Sequence, residues 1–139
     1  MASIVYNSAL EDMAEGRIDF DTDTFKVMLV TSSYTPNKDT HTKRSDVTNE
    51  VSGTGYTSGG DTTAVTVTKD TANDRLDIDF GNVSWSSATI TARGGVIYKS
   101  RGGLASADEL VAYLDFTSDV TSTNGTFTVD VTSPLRFQN

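Results

Sequence analysis

Phe25, Val27 and Leu29 alternate with Lys26, Met28 and Val30, and the apolar run closes up over 27–30. A strand apolar on both sides belongs in the middle of a sheet with both faces covered, so this segment is the expected core element. Further on, Val65 and Val67 alternate with Thr66 and Thr68, and Leu76, Ile78 and Phe80 alternate with Asp77 and Asp79. The polar turn 70–74 joins these two runs and predicts a hairpin. Shorter strands are expected over 90–92, 95–98, 110–116 and 126–131, with a terminal addition at 135–137. Turn residues separate them, Asn124-Gly125 being the sharpest such signal.

One helix is expected, over 8–15. Ser8 and Glu11 have the spacing of a capping box, and Gly16 follows where a left-handed residue would close the helix. Two turns do not hold together alone in water, so this helix should dock through Ala9, Leu10 and Met13. The stretch 31–61 has little apolar periodicity, only a helical turn expected around 43–49, and then the glycine-rich Gly53-Thr-Gly55-Tyr-Thr-Ser-Gly59-Gly60. Connections usually run about 4–6 residues. A loop this long is either a surface excursion or a partner-contact arm carrying Tyr34, Lys38, Lys43, Arg44 and Tyr56.

Taken together, the elements predict a single mainly β domain over 1–139. It is an antiparallel β-sandwich, jelly-roll-like or alternatively immunoglobulin-like, with one short N-terminal helix, an arm over 1–6 and the long loop. Composition agrees with a thin β core: apolar residues make up 36 %, mean hydropathy is -0.31, and Thr (22) and Ser (15) are abundant. A formal charge of -8, with the 11 cations scattered, removes most of the electrostatic drive to bind nucleic acid. No apolar run approaches the ~20 residues that span a bilayer, and the N-terminus lacks the basic and apolar regions of a signal peptide. A soluble protein made in a cytoplasm is expected, with no membrane partner.

Catalytic and metal chemistry is thinly represented. There is no Cys, hence no disulfide and no thiolate. The single His41 sits among polar loop residues and reads as an ordinary surface side chain. Asp19, Asp21 and Asp23 alternate like calcium ligands. An EF-hand count from Asp19 nevertheless puts Thr24 at the glycine position and Val30 at the glutamate position, which leaves a solvated turn. Asp77 and Asp79 offer the two carboxylates of sugar hydrolysis, yet their alternation fits a solvent-facing row. Gly53-x-Gly55 follows no clear strand and opens no helix, so it is a poor phosphate cradle. Trp85 between serines would be either a sugar-stacking platform or a core residue, and the core is the expectation. Arg93-Gly94-Gly95 and Arg101-Gly102-Gly103 bracket strand 95–98. Their glycines suit tight turns or close backbone approach, and each Arg would serve either an interface or an internal ion pair. No cofactor and no metal are expected, and the chain is not expected to be an enzyme.

Several segments together carry a family resemblance. They are Val5-Tyr-Asn-Ser8, Ile18-Asp-Phe-Asp-Thr-Asp-Thr-Phe-Lys-Val-Met-Leu-Val-Thr-Ser-Ser-Tyr-Thr-Pro36, Asp46-Val-Thr-Asn-Glu-Val51, Gly53-Thr-Gly-Tyr56 and Ile90-Thr-Ala-Arg-Gly-Gly-Val-Ile-Tyr-Lys99. The chain thereby resembles small tailed-bacteriophage and prophage proteins of the capsid decoration, or cement, class. The resemblance implies a virion structural protein on the capsid exterior, made in the bacterial host, that binds the shell of major capsid protein and reinforces it. It also implies a homo-oligomer, a trimer first and a dimer second. Aromatic and Arg anchors dominate interfaces generally. The contact residues expected on that ground are Tyr6, Tyr34, Arg44, Tyr56, Arg93 and Arg101. The alternative function is a phage tail or fibre carbohydrate-binding module, motivated by Trp85 and the sandwich.

Overall fold

The computed structural model describes residues 3–131 and 135–139. Its strands are β1 (Ile4–Val5), β2 (Phe25–Val30), β3 (Asp61–Thr63), β4 (Val65–Asp70), β5 (Arg75–Phe80), β6 (Val83–Lys99), β7 (Leu110–Val129) and β8 (Leu135–Gln138). One helix, α1 (Asn7–Ala14), follows β1, and short 3-10 turns lie at Arg44–Asp46 and Ala105–Ala107. Two antiparallel sheets result, a five-stranded one in the order β1-β7-β6-β2-β3 and a three-stranded one in the order β4-β5-β8. The mainly β sandwich expected from the alternation is the fold observed.

The period-2 pattern explains how the layers meet. Phe25, Val27 and Leu29 of β2 turn to one face of the large sheet and join Ile97, Trp85, Phe127 and the small sheet's Ile78 and Phe80 in the main core. Phe20 stacks on Phe25 at 5.1 Å between centroids, and Phe80 meets both rings edge-on at 6.0 and 6.2 Å. Met28 and Val30 turn the other way into a second core with Tyr6, Tyr34, Val96, Tyr98, Leu110 and Tyr113. β2 is thus buried on both faces, between β6 and β3. A register shift between Ile97 and Tyr98 leaves Val111 of β7 as the extra residue. That bulge sends Val111 to the main core while Leu110 and Tyr113 stay in the second.

Three local expectations are corrected. The four short strands expected over 90–131 are two long ones, β6 and β7, paired along their length with bulges. Asn124-Gly125 makes no turn. It lies inside β7 at one of those shifts, Asn124 holding φ 45°, because a bulge uses the same left-handed backbone that a turn would. The Ser8–Glu11 capping box does not form. The N-cap is Tyr6, whose N–H donates to Val111 O (3.1 Å), and Ser8 Oγ is buried without a hydrogen-bond partner among the described residues. The pairing of β1 with β7 fixes Tyr6 and starts α1 one residue early. The helix then turns Ala9 and Asp12 inward and leaves Leu10 48 % exposed, so Leu10 is not a docking residue. Gly16 does close the helix at φ 76°.

The stretch 31–61 is laid against the sheet. Thr31 N donates to Asn49 O (3.0 Å) and Val51 N to Leu29 O (2.9 Å), while Leu110 N donates to Thr42 O (3.2 Å). Tyr34 and Val51 are buried, so this segment covers the sheet and does not project as an arm.

Candidate interaction surface

Most of the residues expected at an interface are internal. Tyr6 is fully buried and its hydroxyl meets that of Tyr34 at 2.9 Å, which in turn lies 2.9 Å from His41 Nδ1. Burial, reinforced for Tyr6 by the bond to Tyr34, pushes both phenols above the usual tyrosine range. His41 is therefore a half-buried ring stacked on Tyr34 (5.7 Å) and not the ordinary surface residue expected. The Tyr56 hydroxyl donates to Glu50 Oε1 (2.7 Å) and accepts from Leu29 N (3.0 Å), and burial raises its pKa. Glu50 also takes the Gly59 amide and the Ser58 hydroxyl, so one carboxylate organises the glycine-rich segment.

The arginines divide in two. Arg44 Nε donates to buried Asp108 (2.8 Å), its guanidinium 5.1 Å from the Tyr98 ring centroid, and Arg101 Nε donates to fully buried Glu109 (2.6 Å). Lys43 Nζ lies 3.8 Å from the same Glu109. These pairs pin the 43–46 and 100–104 segments together. Arg93, which donates to Asp119 (3.2 Å), and Arg101 both keep part of their side chains in solvent (37 % and 42 % exposed), unlike Arg44 (20 %). Gly94 beside Arg93 supplies the close approach expected of that motif, because a Cβ there would meet the Tyr113 ring at 2.5 Å. Of the arm 1–6, Met1 and Ala2 lie outside the described residues, and Ile4 and Val5 are paired in the sheet.

The acidic motifs are likewise occupied. Asp19 accepts from Asp21 N (2.9 Å) and Thr22 Oγ1 (2.9 Å), and Asp23 is paired with Lys99 (2.7 Å). Asp77 is held between Arg75 (3.1 Å) and Arg136 (2.6 Å), while Asp79 alone faces solvent. Among the described residues no group of carboxylates or histidines is placed to hold a metal ion. Trp85 is 5 % exposed and packs on Tyr56 and Phe127, so it presents no stacking platform.

Hydrogen bonds from backbone amides set the acid behaviour. The Asp46 carboxylate accepts from the amides of Thr42 and Lys43, which hold its pKa below the usual value, and the Asp21 amide and Thr22 hydroxyl do the same for Asp19. A lowered folded-state pKa contributes stability above the unfolded value of about 3.9, lost as pH falls through the lower folded values. Urea midpoints should therefore hold between pH 7 and 5 as far as these groups are concerned and drop below pH 4. Asp46→Asn should show a smaller drop. An equal acid loss in wild type and variant would contradict this.

What remains open to a partner is apolar. The inner face of the small sheet runs Val67, Leu76 and Phe137 past the end of the main core. Together with Leu10, Met13 and Ile18 these residues line an open groove of about 680 Å³ between α1 and the small sheet. Leu10 (48 %), Val67 (39 %) and Phe137 (40 %) are among the most exposed large apolar side chains of the chain, and all three meet here. Asp19 and Asp21 stand at the rim. Sequence alternation marks these residues as an inner face. It carries no sign that the large sheet stops short of covering them.

Compared with protein-family models, curated proteins and solved structures, the chain matches none.

Proposed function

We propose that this chain is a tailed-bacteriophage head decoration protein, which seats on the outside of the major capsid protein shell and stabilises it by adhesion. The observation that supports it is the groove. It is large enough for several side chains, apolar along its length, and lacks the converging polar groups that orient a small polar substrate. Such a surface suits apolar anchors of another protein, with the exposed Asp21 at its edge available to a basic residue flanking them. The segment resemblance supplies the identity of that protein. A net charge of -8 keeps the chain off packaged DNA, and many copies on one shell add up weak single contacts.

Co-sedimentation with empty expanded shells of the phage or prophage that encodes the chain tests this. Wild type should pellet with shells. The double variant Leu10→Asp, Phe137→Asp should bind at least tenfold more weakly while melting near wild type, since both side chains are already exposed. Wild type left in the supernatant would reject the reading.

A further inference from the structure

β7 outruns its neighbour on one side. β1 pairs only with Tyr113 and Ala112, and Ser3 Oγ accepts from the Asp115 amide (2.9 Å). Beyond that point no strand among the described residues pairs with the outer edge of β7, although the strand continues to Val129. A regular ladder to β6 runs here only over Val120, Thr121 and Ser122, between two bulges marked by positive φ at Thr117 (67°) and Asn124 (45°). Its side-chain bonds run inward to β6: Thr121 Oγ1 meets Thr91 Oγ1 at 3.0 Å, and Ser122 Oγ donates to Ala88 O at 2.8 Å. The outward row of amides and carbonyls has no strand partner among the described residues.

Proteins blunt such edges with Lys, Pro, β-bulges or a covering segment, and here a bulge lies on either side of the ladder, leaving 120–122 between them. This edge has neither Lys nor Pro over 118–123. Its single charge, Asp119, is matched by Arg93, and no charged residue occurs between Val120 and Val129. In a chain of charge -8, this is a place where two copies would meet without like-charge repulsion. Val120, 42 % exposed, adds an apolar contact to the stretch.

We infer that the outer edge of β7 is a self-association seam, where 120–122 of one copy pairs antiparallel with 120–122 of a second copy. The occupant is the chain itself because a neutral edge gives no charge complement to an acidic or basic peptide, whereas an antiparallel strand is self-complementary about a two-fold axis. Pairing of this kind closes at two, so of the oligomers expected from the resemblance it builds the dimer. It stands independently of the capsid reading.

Light scattering across a concentration series, with a cysteine scan, tests it. Wild type should approach twice the 14.9 kDa chain mass as concentration rises, and Val120→Lys, Thr123→Lys should stay monomeric with a near-wild-type melt. The chain has no Cys, so Val120→Cys, Thr121→Cys and Ser122→Cys, made singly, place a thiol near the axis. At least one should form an interchain disulfide under mild oxidation, while exposed Leu104→Cys should not. If the lysine variant fails to fold, the cysteine scan decides. Monomeric wild type at every concentration, a trimer, a dimer that survives the lysines, or cross-linking no better than Leu104→Cys would each overturn the seam.

Discussion

Gly60→Ala is expected to destabilise the chain by about 4 kcal/mol and to lower the melting temperature by about 10 °C, through backbone strain and a clash with no soft neighbour. Gly60 is buried with φ 78°, a conformation in which an L side chain is strained. The larger part is steric. A Cβ on Gly60 would lie inside the van der Waals radius of the Val27 carbonyl oxygen and against Met28 Cα, which are backbone atoms of the central strand. Either β2 shifts, disturbing both cores, or β3 leaves β2 and loses the pairing of Val27 with Asp61. Gly16→Ala is the matched control: φ is 76° but nothing lies within 4 Å, so about 1 kcal/mol is expected from conformation alone. Urea denaturation of the two variants measures the difference. Equal losses would show that the approach of Gly60 to β2 is not a structural constraint.

Asp108→Ala is expected to cost about 3–5 kcal/mol, the range for removing one partner of a buried ion pair. Asp108 is 1 % exposed and its carboxylate holds two groups at once, Arg44 Nε at 2.8 Å and the Arg101 amide at 2.8 Å. Without it Arg44 keeps a mostly buried guanidinium whose one further contact among the described residues is the Tyr98 ring. The pair is therefore coupled. Arg44→Ala should cost much less in the Asp108→Ala background than in wild type, with an interaction energy of about 1–3 kcal/mol in a double-mutant cycle. Arg93→Ala, which breaks the surface pair with Asp119, should cost under about 1 kcal/mol. Additive effects at Asp108 and Arg44 would contradict the pairing.

Alternation made the sheets legible because side-chain direction repeats every two residues whatever the topology. Phe25 to Val30 read as a doubly covered strand and is one, and the 65–80 hairpin lies where its turn residues put it. Strand length was not legible. Asn124 and Gly125 state only that the backbone turns left-handed, and a bulge satisfies that as well as a turn. The long loop reads as exposed because its few apolar residues follow no period, yet Tyr34, Val51 and Tyr56 suffice to fasten it down. An aromatic or an Arg in a loop is therefore a poor guide to the surface. Tyr6 and Arg44 are spent on internal bonds, whereas the exposed groove is built from Leu10, Val67 and Phe137, which pattern alone assigns to the interior. Both open features, the overhang of the small sheet and the free edge of β7, arise from elements of unequal length. No local stretch of sequence records that inequality.

The central claim is that this molecule works by adhering to a shell, and a density map of the virion carrying it tests that most directly. The account predicts copies on the outer capsid surface, at repeating symmetry positions, with the Leu10–Phe137 groove turned toward the major capsid protein. Density for the chain inside the shell or on the tail alone, or particles that lack it altogether, would contradict the account.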